Sequence, residues 1–350
     1  MDVYRNRYTG DMSQVFNVKT FRYETGRARG VLASQINNGG GLDVTVLADR
    51  CMDMAHVSYK GVNVSYINSC GVTHPAYYEA EGENWQRGFT AGMLTTCGLT
   101  SFGAPSVDEG KAYGLHGRIS YIPAEEYNVQ TGTEDGLCVA RLEGKMRQSK
   151  LFDEHLLLAR KYKFIQGINQ IDLEDEIVNE GYTPCEYMQL YHFNFGYPFI
   201  DENAEIFLPT LEVKPRDEIS VPGKDNWMRM EAPADGAPET CYFHTMRRDP
   251  DGISFASVYN HKLGLGMIYY YDAGMLEYFI QWKNISSGEY VLGLEPATSY
   301  VLGRAEARRS GSLIVLQPGE KRRHRFRISF FETEKEFEKI KSWGGERLFL

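Results

Sequence analysis

Three residues that can move protons stand in local settings suited to that work. His192 lies in Met188-Gln189-Leu190-Tyr191-His192-Phe193-Asn194-Phe195. Two-residue alternation puts Met188, Leu190, His192 and Asn194 on one face and Gln189, Tyr191, Phe193 and Phe195 on the other. Both faces are largely apolar, as in a strand covered on two sides. A histidine there either finds a hydrogen-bond partner in the core or lines a pocket, because an unpaired buried polar group costs about 1–3 kcal/mol. Asn194, pointing the same way, brings the pocket level with the core reading. Glu295 closes Tyr290-Val291-Leu292-Gly293-Leu294-Glu295-Pro296, on the face of Val291 and Gly293. With Pro296 expected to stop the ladder, a carboxylate at the end of an apolar strand suits a raised pKa and a general-base role. Taken alone, an exposed carboxylate at a strand exit is the plainer reading. His116 sits in Gly114-Leu115-His116-Gly117-Arg118, where glycines let backbone approach a ligand. Taken alone, a turn histidine is the plainer reading.

Those residues need a scaffold, and the chain reads as β. Alternating segments occur at 42–48, 135–142, 155–164, 170–178, 186–195, 253–258, 266–271, 275–282, 289–294, 312–316 and 324–331, separated by Gly, Asn, Asp and Pro. Many short strands with turn signals between them predict an all-β sandwich or barrel. Helical spacing is confined to Thr333–Trp343, where Phe337, Ile340 and Trp343 share a side and Thr333 with Glu336 forms a capping box. Two irregular stretches, 69–92 and 214–240, have the length of functional loops. No repeat or linker divides the chain, so one domain over 1–350 is expected.

Composition narrows the partners. The 23 Tyr, 18 Phe and 4 Trp suit half-buried sheets, and their rings also suit the apolar face of a sugar. A net charge of −9 opposes nucleic acid and anionic membranes. No apolar run reaches the ~20 residues of a membrane span. The polar start Met1–Asn6 lacks a signal core, and six scattered cysteines read as reduced thiols, so a cytoplasmic location is expected. Phosphate-loop, dinucleotide, zinc-protease and serine-elbow motifs are absent.

The order of three motifs carries a resemblance: Leu115-His116-Gly117, Tyr191-His192-Phe193-Asn194-Phe195 and Gly293-Leu294-Glu295-Pro296. Together they resemble the aldose 1-epimerase (galactose mutarotase-like) family. Leu47–Met54, Trp85–Phe89, Thr96–Leu99 and Gly303–Glu306 look like an uncharacterised bacterial branch of it. The resemblance implies a β-supersandwich that binds a small carbohydrate, needs no cofactor or metal, and works as a monomer or homodimer. It implies an isomerase that interconverts α and β anomers, with Glu295 taking the C1 hydroxyl proton, His192 protonating the ring oxygen and His116 hydrogen-bonding nearby. Arg87 would grip hydroxyls. Asn194 and Gln281 are further binding candidates, as are Arg50, Asp53 and His74, which lie in stretches particular to this branch. Two departures bear on the substrate: Tyr191 stands where the family has Asn, and no counterpart appears for the Asp that holds sugar hydroxyls. A ketose or sugar-acid isomerase, or C2-epimerase, using an enediol and a metal on His74, His116 or His192, is the first alternative. A non-catalytic carbohydrate-binding protein is the second.

Overall fold

A computed structural model of the chain describes residues 7–348 and 350. Two large sheets carry the architecture, and their ladders run antiparallel. The first has eight strands, in the spatial order Glu125–Glu134, Leu137–Ser149, His155–Ile165, Gln170–Asn179, Lys321–Phe331, Leu265–Asp272, Ile253–Asn260 and Ala204–Phe207. The second has seven: Thr210–Pro215, Thr240–Met246, Tyr278–Asn284, Val291–Ala297, Cys185–Phe195 and Ile314–Leu316 in order, with Leu94–Leu99 also pairing to Cys185–Phe195. A five-stranded sheet from Asn17 to Asn63 packs its Val44, Val46 and Met54 into the same core. This is the β-sandwich that the alternating segments predict. No described helix is long and apolar enough to cross a membrane.

Strand alternation assigns each residue of the seven-stranded sheet to one of two environments. Tyr191, Phe193, Leu292, Leu294 and Phe279 face the eight-stranded sheet, where Phe193 stacks on Tyr269 at 4.5 Å and Tyr191 meets Phe326 at 4.5 Å. Each such side chain contributes about 1.5–3 kcal/mol on burial. Met188, Leu190, Ile280, Val291 and Ala297 face the other way, under a cover containing Trp85, Phe89, Phe102 and Tyr121. The strand Cys185–Phe195 is therefore covered on both sides, as its sequence implies.

A charged network crosses the core behind that strand. Arg160 donates from Nε and Nη2 to the two oxygens of Asp175 at 2.8 and 2.7 Å, and from Nη1 to Asp53 at 2.7 Å. Asp53 also accepts from Thr96 N and Oγ1, and Tyr191 donates to Asp175 at 2.6 Å. Such groups persist in a core only when each lone pair and proton is matched.

Three expectations change. Pro296 does not end its strand, which runs to Ala297 with Pro296 opposite Phe279. A helix, Arg304–Ser310, forms between Gly303 and a left-handed Gly311, in a segment too short to show periodicity. The irregular stretches contain short 3₁₀ turns, Pro75–Tyr77, Asn84–Gly88 and Val221–Asn226. The C-terminal helix, Glu334–Lys341, has the predicted capping box, and Phe337 is buried.

Candidate active site

Sheet register alone brings two of the three residues together. Leu190 pairs with Ala297 and Phe193 with Leu294, which sets His192 opposite Glu295 and Tyr191 opposite Pro296. Directly opposed side chains start with Cβ atoms about 4.5–5.5 Å apart. His192 Nε2 accordingly lies 3.4 Å from Glu295 Oε1. Pro296 lacks an N–H, and the ladder to Cys185–Phe195 skips it and Glu295. The proline thus opens the hydrogen bonding beside the pair.

Room for the carboxylate comes from a missing side chain. Gly293 lies on the same face, two residues before Glu295, and opposite Trp282. A Cβ on Gly293 would fall 2.4 Å from Glu295 Oε1 and 3.1 Å from Trp282 Cβ. Only glycine leaves both in place.

His116 arrives from a loop. It holds a left-handed backbone, φ +55°, fixed by hydrogen bonds from its N–H to Gly103 O and from Gly98 N to its carbonyl. Strained non-glycine conformations of this kind are held by their surroundings and cluster at functional sites. Its ring stands 5.7 Å from that of His192 and 4.8 Å from Trp85. Gly117 beside it admits no side chain, since a Cβ would lie 2.2 Å from Ser101 O.

All three line one cleft of about 500 Å³ on the face of the seven-stranded sheet turned away from its partner sheet. Trp85, Phe89 and Trp282 give it aromatic walls, and Phe89 and Trp282 lie 5.4 and 5.3 Å from the His192 ring. Burial governs the electrostatics. It raises the Glu295 pKa well above the usual carboxylate value, with a smaller push from Glu239. It lowers His192 well below the usual imidazole value, helped by His116. It lowers His116 to about 4. Burial thus favours the uncharged form of each of the three. Glu295 Oε1, His192 Nδ1 and His116 Nδ1 are buried without a hydrogen-bond partner.

The remaining candidates lie elsewhere. Arg87 is exposed and turned towards Asn84 and Glu79, because the 3₁₀ turn Asn84–Gly88 points Trp85 and Gly88 inward. Gln281 lies on the core face of its strand with Phe279, where it bonds His244 and Trp227 O. Its neighbours Ile280 and Trp282 face the cleft instead. Arg50 is buried, donating to the carbonyls of Ser120, Thr73 and Gly88 and to Thr90 Oγ1, and it clamps the 69–92 stretch. Asp53 belongs to the Arg160 network. His74 caps the turn Pro75–Tyr77 through Nδ1. Asn194 is buried behind His192, donating to its carbonyl, and is not part of the cleft wall.

Other wall residues carried no sequence signal of their own. Arg216 and Glu239 come from the 214–240 stretch: Arg216 Nη2 donates to Glu239 Oε1 at 3.0 Å, and Trp282 Nε1 donates to Glu239 Oε2 at 2.8 Å. Trp85 and Phe89, on either side of the inward Gly88, stack at 4.6 Å.

A family model described as "Domain of unknown function (DUF4432)" matches residues 28–330. The chain belongs to the DUF4432 family. No curated protein matches it. This DUF4432 protein is similar in structure to a presumed aldose 1-epimerase from Klebsiella pneumoniae, at TM-score 0.89 and 23% identity over 94% of this chain and 88% of that one. It is also similar to a galactose mutarotase-like protein from Clostridium acetobutylicum, at TM-score 0.63 and 14% identity, covering 91% of this chain and all (100%) of that one. A galactose 1-epimerase from Lactobacillus acidophilus matches at TM-score 0.58 and 14% identity, over 91% of this chain and 100% of that one. The DUF4432 chain has the galactose mutarotase-like fold, as its motifs implied.

Proposed function

We propose that this DUF4432 protein is a carbohydrate isomerase that interconverts the α and β anomers of an aldose, with Glu295 and His192 as its proton-transfer pair. The observation that carries the reading is the buried carboxyl–imidazole contact of 3.4 Å, shifted by burial in opposite directions at the floor of an aromatic cleft. Ring opening takes a proton from the C1 hydroxyl and delivers one to the ring oxygen. Closure on the other face reverses both transfers. One proton between two groups suffices for this cycle, because the sugar returns what it receives. With the proton on His192, Glu295 is the base and His192 the acid. A hydroxyl donated to Glu295 Oε1, which lacks a partner, stabilises the carboxylate and favours that distribution. Each positioned acid or base contributes about 10²–10⁴-fold. His116, held neutral by burial, offers a hydrogen bond beside the reacting oxygens. Trp85, Phe89 and Trp282 cover the apolar face of the sugar.

The enediol alternative loses its outlying metal ligand, because His74 caps a turn instead of lining the cleft. The test is exchange NMR on a panel of reducing sugars in D₂O. Faster exchange between α and β signals, with no deuterium entering carbon positions, supports anomer interconversion. Deuterium at C2 contradicts it.

A further inference from the structure

We propose that Tyr191 is a positioning residue for His192, its hydroxyl anchored in the buried Arg160 network so that the imidazole meets Glu295, an inference that rests on the proton-pair reading. The ladder between Cys185–Phe195 and Val291–Ala297 pairs Leu190 with Ala297 and next Phe193 with Leu294, so Tyr191 and His192 lie in a gap on that side. On the other side they keep Thr96 and Thr95 as partners. Asn194 Nδ2 donates to the His192 carbonyl at 2.8 Å. A strand released along one edge needs another hold if its histidine is to stay 3.4 Å from a carboxyl oxygen. Misplacement by about 1 Å at a reacting centre is costly.

The Tyr191 side chain supplies that hold from the core face. Its hydroxyl donates to Asp175 Oδ2 at 2.6 Å and lies 3.1 Å from His324 Nδ1, so its donor and an acceptor site are both used. Asp175 is held by two bonds from Arg160, whose other donors reach Asp53, the Cys51 carbonyl and Thr96 Oγ1. Thr96 is itself the register partner of Tyr191. The network therefore closes around the gap: one arm reaches Tyr191 through Asp175, and the other reaches the adjoining strand through Thr96. Its members come from all three large sheets: Tyr191 and Thr96 from the seven-stranded, Arg160, Asp175 and His324 from the eight-stranded, and Asp53 from the five-stranded. Arg160, Asp175 and Tyr191 are each 0% exposed. Buried charges add little to stability over an apolar core of the same volume, but a matched network rigidifies what it joins. Fixed position is what this gap requires.

Tyr191→Phe keeps the ring against Phe326, 4.5 Å away, and removes only the hydroxyl. Tyr59→Phe is the control: Tyr59 is also 0% exposed and donates to a carboxylate, Glu332 Oε1 at 2.7 Å, away from the cleft and from Arg160. With the full chain and galactose or glucose, exchange NMR gives kcat and KM. Spectra of nitrogen-labelled histidine give the His192 ring signals, assigned with His192→Ala, and thermal melts give stability. The expected result for Tyr191→Phe is a kcat lower by about tenfold or more, a KM within about twofold, and displaced His192 ring signals. Tyr59→Phe should melt lower than the wild type and keep its kcat and His192 signals. A Tyr191→Phe variant with wild-type kcat overturns the positioning role, as does an equal loss in both variants. If the wild type fails to speed exchange, the anomer reading falls and the ring signals decide alone. Displacement confined to Tyr191→Phe then upholds the positioning of His192, and unmoved signals overturn it too.

Discussion

Placing a methyl group on Gly293 tests whether the position of one carboxylate governs the reaction. The added Cβ would lie 2.4 Å from Glu295 Oε1, whereas ordinary contact begins near ~3.5 Å. The oxygen must therefore retreat by about 1 Å, while Trp282 Cβ, at 3.1 Å, gives by a few tenths. A displacement of that size at a reacting centre costs roughly 10²-fold in rate. Stability should change far less. Overpacking costs about 1–3 kcal/mol, the carboxyl tip can rotate away, and replacing a strand glycine by alanine returns about 0.5–1 kcal/mol. Gly293→Ala should thus fold, melt within a few degrees of the wild type, and lose about two orders of magnitude in kcat by exchange NMR. A variant with wild-type kcat would refute the reasoning, as would one whose loss merely follows unfolding.

Glu295→Gln should lower the exchange rate by about 10²–10⁴-fold and yet stabilise the fold at neutral pH. The native carboxyl has a raised pKa, so ionisation weakens the wild type as pH climbs above the ordinary carboxylate range. The amide variant's advantage in urea unfolding should grow by about 1.4 kcal/mol per pH unit and level off above the folded pKa; a pH-independent difference would contradict this. His324 is fully buried with its pKa lowered to about 4, so the unfolded chain takes up its proton first on acidification. Between pH 6.5 and 5 the wild type should lose about 1.6 kcal/mol relative to His324→Phe. Arg160→Leu leaves Asp53 and Asp175 without their cation and should cost about 3–5 kcal/mol, whereas Arg87→Ala should stay within about 0.5 kcal/mol and leave KM unchanged within about twofold.

The sequence carried the strands, the C-terminal helix and the shared orientation of His192 and Asn194, because period-two burial is written directly in residue type. Alternation, however, says which residues share a face and not which face meets the cleft. A one-residue difference separates core Gln281 from cleft-lining Trp282. Arg50 and Asp53 looked like site residues because charge in a chain does not declare its partners; those partners, Ser120, Thr73, Gly88 and Arg160, lie far along the sequence. Arg216 and Glu239 were hidden in a stretch without periodicity, and only strand register revealed that His192 and Glu295 oppose each other.

The most direct test of the central claim is the α/β exchange rate of a neutral aldose, measured by NMR with wild type, His192→Ala and Glu295→Gln at equal concentration. The proton-pair account predicts clear acceleration by the wild type and a loss of about 10²-fold or more in each folded variant. Acceleration that survives either substitution would contradict it.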